Sequence, residues 1–171
     1  MKNKIIFLSL FLMGAVVNSF SQKIIKKDTE IEAMVKEISV DSLAQNLNKL
    51  VSFGTRATLS NQTSTTKGIG AARAWILSRF NEYAKSSNGR LSAFIDTITY
   101  NADKRRVNRP IILGNVVATL KGTDPNDKRI FVISGHLDSR RSNEMDRVGD
   151  SPGANDDGSG TVAVMECARV M

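Results

Sequence analysis

The sequence predicts an α/β domain, and three observations carry that prediction. Apolar residues recur at helical spacing through the first half of the chain. Strand-like runs follow from about residue 91. A glycine-framed acidic stretch then opens another helix, so helices, strands and a helix follow one another as in a layered α/β fold.

The first 21 residues form a separate unit. Lys2 and Lys4 precede an apolar run from Ile5 to Val17, and small residues at Ser19 and Ser21 lead to Gln22. This is the pattern of a secretory signal peptide, cut after Ser21 and implying a secreted or periplasmic protein. The run is short for a membrane span, and no cysteine stands near the cut to receive a lipid. No stable membrane insertion is therefore expected after cleavage, and removal of the two lysines lowers the formal charge from +7 to +5.

Residues 22–90 read as a helical segment leading into the main domain. "DTEIEAMVKEI" places Ile31, Met34, Val35 and Ile38 on one helical face. "SVDSLAQNLNKLVSF" continues with Leu43, Leu47, Leu50 and Val51, with Ser39 or Asp41 as the N-cap. The polar, glycine-punctuated "GTRATLSNQTSTTKGIG" predicts an irregular connection. "AARAWILSRFNEYAKS" returns to helix and ends near Asn88-Gly89.

Residues 91–171 change character. "LSAFIDTITY" alternates apolar and polar side chains as a half-buried strand does, and "GNVVATLKG" predicts a second strand. "RIFVISGH" is apolar enough to predict a third strand, covered on both faces. "GSGTVAVMECARVM" begins a helix with no glycine stop or polar tail, so the sequence reads as an incomplete domain cut off in mid-fold. Cys167 lies in this helix and, as the only cysteine, has no partner for an internal disulfide.

The basic residues are scattered in short groups and no aromatic-rich basic module is visible, so nucleic acid is not the expected partner. Chemistry concentrates instead between residues 133 and 160. His136, the only histidine, stands where the third predicted strand ends, as functional groups in open α/β sheets do. Asp138 lies two residues on, and in extended chain both side chains project to the same side. A carboxylate there can accept one imidazole N–H and leave the other nitrogen free for a metal. Asp138 is thus a residue that orients His136.

Asp156 and Asp157 precede the last helix. Aspartate favours caps and first turns, which accounts for one of them. Two in succession, framed by Gly153, Gly158 and Gly160, suit a metal site in which one carboxylate bridges two cations about 3.5–4 Å apart. Competing motifs fail. There is no phosphate-binding GxxxxGK[ST] loop, no GxSxG elbow and no calcium loop with its closing glutamate.

"NVVATLKG", "GHLDS" and "PGANDDGSG", between residues 112 and 171, resemble the zinc metallopeptidases of family M28, the aminopeptidase and glutamate carboxypeptidase group. "LVSFGTR" and the helix after it are similar more loosely. The resemblance implies an α/β/α sandwich with a mixed central sheet of the zinc-exopeptidase type, seen here only as far as the helix starting near Ser159. It makes His136 a zinc ligand, Asp138 the carboxylate that orients it and Asp156 the bridge between two Zn2+ ions. Asp157 would be a supporting residue, following Asp156 across an unusual peptide bond of which cis is one form.

The activity implied is hydrolysis of peptide or protein substrates by a metal-activated water, by analogy that of an aminopeptidase. The family's general-base glutamate, in a Glu-Glu pair, and its later aspartate and histidine ligands have no counterpart in this sequence. Glu166 comes too early and is unpaired. Little activity is therefore expected from these 171 residues alone. Two other readings differ in class: a non-catalytic remnant or binding module of the same fold, and, ranked last, a binder of anionic surfaces or nucleic acid with steeply salt-dependent affinity.

Overall fold

The computed structural model describes residues 26–171 apart from Lys104. The expected signal peptide lies outside the described residues. The chain divides into two compact units, Met1–Glu32 and Ala33–Met171. In the first, the Asp28 carboxylate accepts from the N–H groups of Glu30 and Ile31, and Lys27 pairs with Glu32.

Helix α1, Thr29–Glu37, carries two glutamates in its first turn and a lysine in its last, the arrangement that complements the helix dipole. The apolar face expected from Ile31, Val35 and Ile38 is present but exposed, and the helix buries none of its residues. Helix α2, Val40–Val51, starts where expected: Ser39 is extended, and its hydroxyl accepts from the Ser42 N–H at 3.1 Å. Its face of Leu43, Leu47 and Leu50 meets the core.

Helix α3, Gly68–Ala84, takes in the "GIG" expected to be loop. Ser60 from the preceding connection accepts the Ile69 N–H at 2.9 Å, and the Asn61 carbonyl accepts that of Gly70 at 3.1 Å. Helix start here depends on a distant loop, which local pattern does not reveal. Ile69, Ala72, Ile76, Phe80 and Tyr83 form its buried stripe. Beyond Ala84 the chain turns through Asn88 and Gly89, both at positive φ, into the sheet.

Strands β1, Leu91–Tyr100, and β2, Ile111–Leu120, pair antiparallel, from Leu91 opposite Leu120 to Tyr100 opposite Ile111. Leu91, Ala93, Val116, Ala118 and Leu120 face α3 and the core, while Phe94 and Ile98 are exposed. The core joins Leu50 and Phe53 to α3, to Leu91, and to Val162 and Met165 of helix α4, Ser159–Val170. It therefore draws on residues both before and after residue 90.

The third predicted strand is not formed. Residues 129–136 have no ladder partner among the described residues, and Ile130, Phe131 and Val132 are 87%, 81% and 83% exposed. An apolar run becomes a buried strand only when neighbours supply both its hydrogen bonds and its cover. The two described strands pair with each other and not with this segment. Among the described residues the fold is thus a mixed α/β arrangement of four helices and a two-stranded antiparallel sheet. No helix among them is long and apolar enough to cross a membrane.

Candidate metal centre

His136 ends the irregular segment rather than a buried strand, and three tertiary contacts hold it. Its N–H donates to Asp157 Oδ2 at 2.9 Å, and its carbonyl accepts from the Thr161 hydroxyl at 3.1 Å. Just before it, Gly135 lies against the start of α4: a Cβ there would come within 2.6 Å of the Gly160 carbonyl carbon, so only glycine permits this approach. The backbone at His136 is thereby tied to the first turn of α4.

Both ring nitrogens then meet aspartates. Nδ1 lies 3.2 Å from the Asp138 carbonyl and 3.3 Å from Asp138 Oδ1, while Nε2 lies 2.9 Å from Asp156 Oδ1. Asp138 is itself held by the Thr58 hydroxyl, 3.4 Å from its Oδ2. Partial burial pulls the imidazole pKa down. The Asp138 carbonyl and the charges of Asp138, Asp157 and Asp156 outweigh it, and the pKa stands above its ordinary value.

The two adjacent aspartates have different tasks. Ala154–Gly158 form a kinked turn in which Asp156 (φ −117°, ψ 96°) and Asp157 (φ −126°, ψ 42°) leave helical geometry, and the peptide bond between them is cis. Asp157 behaves as a capping residue: Oδ1 accepts the Gly160 N–H at 3.0 Å while Oδ2 takes that of His136. The Asp156 carboxylate meets His136 Nε2 and is 89% exposed.

Imidazole nitrogen and carboxylate oxygen are donor types that zinc accepts, and the His136–Asp156 pair converges closely enough to share one ion. The pair fits part of a zinc site. Zinc takes about four ligands, and the described residues contain no group of three or more candidate donors. Two glutamates of residues 133–171 are engaged elsewhere. Glu144 pairs with Arg106 and Arg140, and Glu166 is buried against Ser39, Ser42 and Arg169.

Sequence reasoning overlooked Arg56. It is fully buried, and its guanidinium donates to the carbonyls of Leu137 (2.8 Å), Pro152 (2.7 Å), Gly153 (3.0 Å) and Leu50 (3.3 Å). Burial lowers its pKa, with the Asp138 charge working the other way. Ser139 strengthens the same junction, accepting the Arg56 N–H at 3.0 Å and donating to the Ser151 carbonyl at 2.6 Å. The only available signal was an arginine in a connection whose one other charged residue is Lys67.

Residues 115–171 match peptidase family M28. A probable zinc metalloprotease of Leptosphaeria maculans is 46% identical over 144 residues, covering 84% of this chain and 33% of that protein. One from Pyrenophora teres f. teres is 44% identical over 144 residues, covering 84% and 31%. Leucine aminopeptidase 1 of Fusarium vanettenii is 28% identical over 159 residues, covering 93% and 36%. The chain spans about a third of the length of these curated relatives. No solved structure matches.

Proposed function

The chain belongs to peptidase family M28, and from that premise we propose that it carries the first part of a zinc-dependent peptidase, by analogy an exported aminopeptidase. On this reading the complete domain is an α/β/α sandwich holding two Zn2+ ions. The observation that carries the proposal is the 2.9 Å approach of His136 Nε2 to Asp156 Oδ1, with Asp138 at the opposite ring nitrogen.

His136 would hold zinc through Nε2. Asp138 would keep Nδ1 protonated and the ring turned toward the metal. Asp156 would bridge the two ions, and Asp157 would fix the histidine backbone to the start of α4. Bound zinc supplies Lewis acidity, polarising a peptide carbonyl and lowering the pKa of water. The exposure of His136 and Asp156 leaves a peptide room to approach the pair. The general base and remaining ligands are assigned to groups outside the described residues.

A second reading has its own support. With two convergent donors and no third among the described residues, these 171 residues alone are expected to hydrolyse little, as a non-catalytic module would. The test is hydrolysis of aminoacyl anilides by the protein purified from its source, with and without a chelator. Chelator-sensitive hydrolysis supports the peptidase reading. Zinc-loaded protein without hydrolysis of any aminoacyl or peptide substrate supports the second.

A further inference from the structure

His136 and Asp156 are both exposed and come from separate loops, so their spacing is not set by packing of their own side chains. Two ties lie beneath them. One is the Asp157 carboxylate, which joins the His136 backbone to α4. The other is Arg56. One of its acceptors, the Leu137 carbonyl, belongs to the residue between His136 and Asp138. Two others, on Pro152 and Gly153, open the turn that presents Asp156.

A guanidinium is a rigid planar fork, so acceptors on its different nitrogens are held at a separation set by its own width. The fourth acceptor, the Leu50 carbonyl at the end of α2, anchors the fork to the core. Among the described residues no carboxylate is hydrogen-bonded to Arg56. A buried charge without a counter-ion is costly, and here it is offset by bonds to four backbone carbonyls rather than by apolar contact. Packing alone is a poor explanation for arginine here.

We infer that Arg56 is a positioning residue for the metal centre: it locks the His136–Asp138 loop to the loop leading into Asp156, and so sets zinc affinity without touching the metal. The inference rests on the zinc reading above and goes beyond it in assigning the spacing of the donors to a buried residue.

The test uses the sole histidine as its own probe. Zinc is titrated into the tag-free 171-residue chain and followed by the imidazole NMR resonances of His136, in wild type, Arg56→Lys and Arg56→Met. Leu91→Ala, a core truncation in β1 that removes none of the site's hydrogen bonds, controls for lost stability. All are measured at a temperature where Trp75 fluorescence reports a folded chain. Arg56→Lys and Arg56→Met are expected to weaken zinc binding tenfold or more, and Leu91→Ala less than twofold. If neither Arg56 variant folds, Ser139→Ala carries the same test, with a loss of threefold or more expected. Unchanged affinity in the folded Arg56 variants, or in Ser139→Ala in their place, overturns the inference while leaving the zinc reading intact. A loss in Leu91→Ala equal to theirs also overturns it. A wild-type chain whose His136 resonances never respond to millimolar zinc overturns this inference, since there is then no affinity for Arg56 to set, while the zinc reading itself stands or falls on the chelator-sensitive hydrolysis above.

Discussion

Replacing Glu166 by glutamine isolates what this buried carboxylate does. Glu166 is 3% exposed, yet it lies on the helix that begins beside the proposed metal centre. Its Oε1 accepts from the Ser39 N–H at 2.7 Å and its Oε2 from the Ser42 hydroxyl at 2.8 Å, while Arg169 donates to both oxygens. The hydrogen bonds from Arg169 hold its pKa down most strongly. Burial opposes them, the Ser39 and Ser42 donors add to them, and the pKa falls from 4.5 to about 2. That difference corresponds to about 3 kcal/mol favouring the charged form in the folded state. Arg169 keeps part of its side chain in water, so about 2–3 kcal/mol is the expected loss in Glu166→Gln at pH 7.

The sign follows from linkage. A carboxylate whose pKa is depressed on folding contributes its full stability above pH 4.5, and loses it as pH falls from there through about 2. Urea unfolding followed by Trp75 fluorescence measures wild type and variant at pH 7 and pH 3. At pH 7 the variant's midpoint is expected to fall by about 1 M. At pH 3 the gap should shrink to about 1 kcal/mol, because the unfolded carboxyl is then protonated and the folded one lies only about one pH unit above its pKa. Other acid-labile groups cancel in the comparison. A gap below about 0.5 kcal/mol at pH 7, or one of equal size at both pH values, would refute this account of Glu166.

Met165→Ala, at a core position 1% exposed, should cost about 2–5 kcal/mol in the same urea experiment. Gly160→Ala drives a Cβ to within 2.7 Å of the Asp157 carboxylate carbon; it should cost about 1–3 kcal/mol by thermal unfolding and weaken the zinc response of His136. Ser39→Ala removes the α2 cap and should cost about 1 kcal/mol, measured by urea unfolding.

The elements legible in the sequence were those whose cause is local. Helical spacing and a serine cap placed α2, and alternation placed β1 at Leu91–Tyr100. The "GIG" start of α3 was missed because Ser60 and Asn61 cap it from the preceding loop. The apolar run at 130–133 has the composition of a covered strand, but cover depends on partners that composition does not specify. At the candidate site the residue types and order of His136, Asp138, Asp156 and Asp157 were visible. The division of labour between the two adjacent aspartates was not, because it depends on which oxygen reaches which N–H. Arg56 stayed hidden for the same reason: its carbonyl partners on Leu137, Pro152 and Gly153 lie about 80 residues or more along the chain.

The most direct test of the central claim is an anomalous difference map at the zinc edge, from crystals of the chain grown or soaked with zinc. The account predicts a peak about 2.0–2.2 Å from His136 Nε2 and from a carboxylate oxygen of Asp156. It also predicts Asp138 on the other ring nitrogen and away from the metal. A peak elsewhere, or none between His136 and Asp156 at saturating zinc, would contradict it.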